Sequence, residues 1–279
     1  MKSTVVRSLI ALGLMVFAER SSSADVIAYG VSSTGVVYSI DATTQTSTSL
    51  GSTGLGGAVN GVAIDPSTGS AGTLLYGNTS VAGSFFGFDI ATQTQTAFTY
   101  AGGVSPLPGS ISDGAFHAGS FYYVENGSST LVQVSLNLTT HQITGFTTSA
   151  LHGAPSLSFG DIAISGNTLY GSTSTGIVSV DLTTDNYTLI KATSTLYQIA
   201  INDPSLGGGL LATSAGSWFT INTTTGVATG ISGFTTPTMN DITDTVVAVP
   251  EPSGLALGLI GAACAIGYRS RARLRILAV

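Results

Sequence analysis

Val36-Val37-Tyr38-Ser39-Ile40-Asp41-Ala42-Thr43-Thr44 is a short alternating run that stops at an aspartate and a pair of threonines. Its aspartate has counterparts at Asp89, Asn137, Asp181 and Asn222, each closing an apolar run and each followed by threonine-rich residues. A second rank lies upstream, at Tyr29, Tyr76, Tyr123 and Tyr170, 47 residues apart each time, with Ala212 in the fifth place. A third rank is small: Ala63, Ala115, Ala163, Ala200 and Thr243, in segments such as Val62-Ala63-Ile64 and Ile162-Ala163-Ile164. One unit therefore recurs about five times, at a period that marks propellers and solenoids.

Each rank belongs to a strand, and a fourth strand follows each Asp/Asn turn, as in Thr46–Leu50, Thr94–Tyr100 and Tyr187–Ile190. Alternation, β-branched residues and Gly/Asn/Asp/Ser punctuation at such intervals predict an all-β chain, and no stretch between Asp25 and Val249 carries a helical period. Four strands in about 45 residues make the blade of a β-propeller. A β-solenoid is the alternative, although its coils are usually shorter. The region opens on a second-type strand at Tyr29 and ends on a first-type strand, Asn240–Val246. The last strand should therefore complete the first blade, giving a five-bladed β-propeller closed by its C-terminal strand, with no free edge between the ends. The small residues fit the innermost strands, where blades crowd the axis.

Two residues before the small rank stand Gly61, Asp113, Asp161, Gln198 and Asp241. Side chains two apart share a face of a strand. If that face lines the axis, three carboxylates and an amide converge at one mouth of the channel, and calcium, a hard cation that takes oxygen ligands, is the natural guest for Asp113, Asp161, Gln198 and Asp241. The other reading is that each aspartate accepts backbone hydrogen bonds where its strand begins. For the turn rank at 41, 89, 137, 181 and 222 the expectation is architecture, since Asp and Asn cap tight turns through their own side chains. His117, His141 and His152 fall in different loops with no metal-ligand spacing. No Gly-x-Ser-x-Gly elbow, His-Glu-x-x-His helix, Walker loop or dinucleotide fingerprint occurs between the two terminal segments. The long connections Gly51–Val59, Ala101–Ser110 and Phe146–Ser158, which carry Pro106, Pro108, Leu151, His152 and Pro155, should gather at the acidic end as a candidate binding surface.

Charge separates this region from its flanks. Seven of the eight basic residues lie in the terminal segments, leaving Lys191 alone against twelve carboxylates between Asp25 and Val249, a net of minus eleven. A nucleic-acid surface needs clustered Lys and Arg, so nucleic acid is excluded as a partner. Cys264 is the sole cysteine and falls in the C-terminal segment, so disulfides and cysteine-based zinc sites have no place in the repeat region.

At the N-terminus, Lys2 and Arg7 precede an apolar stretch, Leu9–Ala18, and the small residues Ser22-Ser23-Ala24. This pattern predicts a signal peptide over residues 1–24, with cleavage after Ala18 as the other possibility. The repeat domain then spans residues 25–249. Pro250-Glu251-Pro252 follows, then largely apolar residues from Gly254 to Tyr268, and then Arg269, Arg271, Arg273 and Arg275. An apolar segment capped by arginines acts as a stop-transfer anchor whose basic end stays in the cytoplasm.

Residues 250–279 closely resemble the PEP-CTERM sorting signal of exported proteins in Gram-negative bacteria. The resemblance covers this tail alone; the repeat region resembles a propeller of no identified family. It implies processing by an exosortase-type enzyme, transient anchoring in the inner membrane, and delivery to the cell surface or an extracellular matrix rich in exopolysaccharide. Two functions are then expected to compete. One is a non-enzymatic propeller that binds or organises exopolysaccharide; the other is a secreted carbohydrate-active hydrolase or lyase that uses the axial carboxylates.

Overall fold

The computed structural model describes residues 26–64, 72–154, 159–202, 208–244 and 246–247. The signal peptide, the Pro250-Glu251-Pro252 motif and the arginine-capped tail expected above lie outside the described residues. Among the described residues no helix is long and apolar enough to cross a membrane.

Strands β1 (Val26–Ser32), β2 (Val36–Asp41) and β3 (Thr46–Ser52) belong to blade 1. Blade 2 is β4 (Val59–Ile64), β5 (Thr73–Asn78), β6 (Phe85–Asp89) and β7 (Thr94–Ala97), after which comes the short β8 (Thr99–Tyr100). Blade 3 is β9 (Ala115–His117), β10 (Ser120–Val124), β11 (Thr130–Asn137) and β12 (Gln142–Ala150). Blade 4 is β13 (Phe159–Ser165), β14 (Thr168–Thr173), β15 (Gly176–Asp181) and β16 (Asn186–Ala192). Blade 5 is β17 (Gln198–Ile201), β18 (Leu210–Ser214), β19 (Ser217–Ile221) and β20 (Ala228–Thr235). The chain then enters β21 (Met239–Ile242) and β22 (Val246–Val247), and both pair antiparallel with β1. The final strand completes the first blade as the strand order predicts. Thr243 extends the seam, its amide donating to the Tyr29 carbonyl at 2.7 Å while its Oγ1 accepts from the Tyr29 amide at 3.0 Å.

Period-two alternation explains how flat blades make a ring. Successive residues of one strand point to opposite faces, so each blade can bury one set against the blade before it and the other against the blade after it. Leu74 packs with blade 1 and Leu75 with blade 3; Ala28 packs with blade 5 and Tyr29 with blade 2. Five apolar clusters result, one between each successive pair of blades, and the cluster of Trp218, Phe234, Ala28 and Ile40 joins the fifth blade to the first. Each fully buried aromatic or aliphatic side chain contributes about 1.5–3 kcal/mol, so every interface matters to the whole.

The outer strands depart from expectation in two places. Thr94–Tyr100, read as one strand, is interrupted at Phe98, whose amide still donates to the Phe85 carbonyl at 2.9 Å and whose ring packs edge-on against that of Phe85 at 5.1 Å. The remainder, β8, then lies parallel to β12 on the edge of blade 3. Phe146–Ala150, read as connection, is the second half of β12. Beyond it the backbone of His152 runs along β16, bonding to Asp185 and Tyr187 at 2.7 and 3.0 Å. The chain leaving blades 2 and 3 thus covers the open edge of the blade that follows, where unpaired strand groups would otherwise face solvent.

Candidate functional site

The inner strands β4, β9, β13, β17 and β21 carry or adjoin the rank read as a channel mouth. Register irregularities mark it: bulges fall at Asn60/Ala63, at Phe159/Asp161, and opposite Asp241 on β1. A bulge frees an amide from its own ladder and re-aims the neighbouring side chain. Asp161 accepts from its own next amide, Ile162, at 2.7 Å and from Ile199 of the following blade at 2.8 Å. Asp241 repeats the pattern, accepting from Ile242 at 2.8 Å and from Val62 of blade 2 at 2.7 Å. Just past β21, Asp244 accepts from Ile201 of blade 5 at 2.7 Å. These carboxylates are staples between neighbouring blades.

The rank is not uniform. At blade 2 it holds Gly61, with φ of +65°, where an added Cβ would lie 2.7 Å from the Asp113 carbonyl oxygen; the backbones of blades 2 and 3 meet too closely for a side chain. Asp113 bonds within its own blade, its Oδ1 accepting from Val124 at 2.7 Å. Asp113 Oδ2 and Gln198 Oε1 are buried without hydrogen-bond partners. Asp161 and Asp241 influence each other's ionisation. Asp113, Asp161 and Asp241 are each 0% exposed, so the expected open mouth is a sealed plug.

Burial pushes all of these acids upward. Asp113 rises to about 8, against the pull of its Val124 bond and with repulsion from Asp241 adding to the shift. Desolvation likewise takes Asp244 to about 7. Desolvation also raises both Asp161 and Asp241.

Calcium fits this plug poorly. It takes roughly six to eight oxygens, and the aspartate oxygens here are largely turned to amides. Among the described residues no group of three or more His, Cys, Asp or Glu is arranged to hold a metal.

The turn rank is architecture, as expected. Asp41 Oδ1 accepts from the amides of Thr43 and Thr44 at 2.8 and 2.9 Å, and Asn222 Oδ1 from those of Thr224 and Thr225 at 2.9 Å each. Asp89, Asn137 and Asp181 make the same kind of bond. Four residues after each comes a left-handed residue: Gln45, Gln93, His141, Asp185 and Gly226, with φ between 50° and 64°. His141 therefore holds a turn position, its ring edge-on to Phe98 at 5.4 Å. His117 begins the hairpin through Ala118 and Gly119, and His152 runs beside β16, so the three histidines serve separate structural positions.

The connection Ala101–Ser110 is pinned rather than free. Leu107 is buried in the core between blades 2 and 3; its amide donates to the Tyr100 hydroxyl at 2.9 Å, and the Tyr123 hydroxyl donates to the Pro108 carbonyl at 2.6 Å. Pro155 lies outside the described residues. Two adjoining cavities at the Asn222–Val227 turn leave no mark in the repeat pattern. One, of about 670 Å³, lies among Thr220, Asn222, Thr223, Thr225, Thr229 and Gly209; the other, of about 320 Å³, reaches Ser165 and Tyr170 of blade 4 and shares Thr223. Their described lining combines threonine and serine hydroxyls, the amides of Asn202 and Asn222, the Tyr170 phenol and the apolar Ile201, Ile221 and Val227.

No protein-family model matches the chain, and no curated protein matches it. The extracellular domain of a hybrid two-component system from B. thetaiotaomicron matches with a TM-score of 0.42 and 11% identity, over 75% of this chain and 30% of that one. A chain in the crystal structure of a nidogen/laminin complex matches with a TM-score of 0.51 and 12% identity, over 76% of this chain and 80% of that one. What this second likeness carries is the fold, a five-bladed β-propeller.

Proposed function

We propose that the chain is an exported binding propeller that holds exopolysaccharide at the surface, or in the matrix, of a Gram-negative bacterium without transforming it. The observation that carries this reading is the sealing of Asp113, Asp161 and Asp241, each 0% exposed. A general acid or base must come within hydrogen-bond reach of a substrate proton. These carboxylates face backbone amides and one another, so a hydrolase or lyase built on them has no accessible acid–base pair. The hydroxyl-lined cavities beside Thr223 and Tyr170 supply instead what a polymer of sugars needs, hydrogen-bonding partners on a rigid frame.

Delivery rests on the sorting-tail resemblance, with an exosortase-type enzyme acting near Pro250-Glu251-Pro252. The intact mass of the surface form should lack Arg269, Arg271, Arg273 and Arg275; a mass that includes them would refute that route. Binding is tested by co-sedimenting the exported form with the producing cell's own exopolysaccharide, with and without a chelator, while reducing ends are counted. Retention without chain shortening is expected, with Thr223→Trp, which fills the cavity, abolishing it at unchanged melting temperature. Shortening of the polymer that disappears in Asp161→Asn would establish the enzyme instead.

A further inference from the structure

The hairpin turns carry more charge than their geometry uses. Asp41, Asp89 and Asp181 each accept backbone amides through Oδ1, and Asn137 and Asn222 make the same bonds with a neutral amide oxygen. The cap needs an oxygen and no charge. The carboxylates of blades 1, 2 and 4 are therefore surplus to the fold.

Strand order gathers this surplus at one end of the ring. Successive strands of a blade are antiparallel, so the hairpin after the inner strand and the turn after the third strand lie at the same end. Asp41, Asp89, Asp181 and Asp185 reach the surface there, all in such turns. Both cavities are at that end too. Asn222 and Thr223 belong to the turn of blade 5, Ser165 begins the hairpin after β13, and Gly208 and Gly209 lie in the connection after β17. Asn167 ties the charge to the cavity hairpin, its Nδ2 donating to Asp181 Oδ1 at 3.2 Å. The opposite end is balanced: Glu125 follows the second strand of blade 3, and Lys191 pairs with Ile177 at the far end of β16. Among the described residues the cavity end holds no lysine or arginine, and its only imidazoles are His117 and His141.

We infer that the cavity end binds a polysaccharide bearing free amino groups, whose ammonium charges lie against Asp41, Asp89, Asp181 and Asp185 while uncharged sugar hydroxyls enter the cavities. This rests on the polysaccharide reading above and adds the charge of the polymer. An anionic polymer would meet carboxylates without a lysine or arginine to offset them, which is repulsive. A chelated metal is a poorer fit than a polymer, because it needs its oxygens within about 2.6 Å of one point. The turn carboxylates of blades 1, 2 and 4 are spread round the ring, and no three acidic, histidine or cysteine side chains among the described residues are grouped to hold an ion. Charges dispersed in this way suit charges repeated along a chain.

The probe is soluble chitosan, a glucosamine polymer whose amines are protonated in mildly acidic buffer, beside the same chains after N-acetylation, which keeps the sugars and removes the charge. Affinity is measured for the protein in chelator-treated buffer at low and high salt. Chitosan should bind, more weakly as salt rises, and the acetylated chains at least about tenfold less tightly. Asp41→Asn, Asp89→Asn and Asp181→Asn combined keep every cap and should lower chitosan affinity about tenfold, since each exposed ion pair is worth up to about fivefold. Glu125→Gln, at the opposite end, should change it less than about twofold. Should the triple variant not fold, Asp185→Asn decides, because asparagine accepts the left-handed φ of 55° at that position; a loss of about twofold to fivefold is expected. Equal effects of Asp185→Asn and Glu125→Gln would make the attraction one of net charge alone and overturn the inference. Equal binding of both polymers would overturn it and leave polysaccharide binding standing. Binding of neither, with the producing cell's own polymer still retained, would likewise overturn this inference alone, whereas failure to retain that polymer would overturn the parent reading and this one together.

Discussion

Two ranks of Asp and Asn run through the propeller, one at the hairpin turns and one at the axis, and they solve opposite problems. At the turns, Asp41, Asp89, Asn137, Asp181 and Asn222 accept hydrogen bonds from residues two or three positions on, in solvent. The oxygen alone is needed, so the amide serves as well as the acid. At the axis, Asp161 reaches an amide 38 residues away and Asp241 one 179 away, both buried. There an oxygen on each side is required, and the cost of desolvation is met by amides from neighbouring blades. Asn does not replace Asp in this rank; the exceptions are Gly61, where no side chain fits, and Gln198. The same residue type is thus a replaceable cap in one place and an inter-blade joint in the other.

The most severe way to break the contrast is to open the ring. Deleting residues 239–246 removes β21 and Asp241 together and uncovers Ala28 and Ile40 in the cluster they share with Trp218. The truncated chain should show no cooperative melting transition by calorimetry. A cooperative transition at the wild-type temperature would mean that the seam between blades 5 and 1 holds nothing. Next in size, Asp241→Ala should cost about 3 kcal/mol or more, because it strands the buried amides of Val62 and Ile242. Asp41→Ala should cost about 1 kcal/mol, the scale of a lost cap, and Asp41→Asn less than about 0.5 kcal/mol. Equal losses at 41 and 241, read from urea midpoints, would erase the distinction. Smallest, Gln45→Gly should stabilise by up to about 1 kcal/mol, since Gln45 is exposed and holds φ of 59° where glycine is unstrained.

These differences also decide what could be read from the chain. The turn rank was legible because its donors, such as Thr43 and Thr44, stand beside Asp41 in sequence. The blades and their circular closure were legible because period-two burial recurs in every unit. The partners of Asp161 and Asp241 were not, because they depend on bulges and on which inner strand lies alongside, neither of which leaves a local mark. An open acidic mouth was expected and a closed plug is found; a carboxylate's burial is a property of the ring, not of its neighbours in sequence. The break at Phe98 escaped for a similar reason, since the strand that β8 joins beyond it, β12, belongs to the next blade.

Amide hydrogen exchange tests the central claim, that axial aspartates join blade to blade, more directly than any substitution. The amides of Val62 and Ile199 donate to Asp241 and Asp161, whereas those of Thr43, Thr44, Thr224 and Thr225 donate to the exposed turn oxygens of Asp41 and Asn222. The account predicts that Val62 and Ile199 exchange only through global unfolding, at the rate set by the stability of the whole domain, while the threonine amides exchange through local opening. Fast, local exchange at Val62 and Ile199, equal to that of the turns, would contradict it.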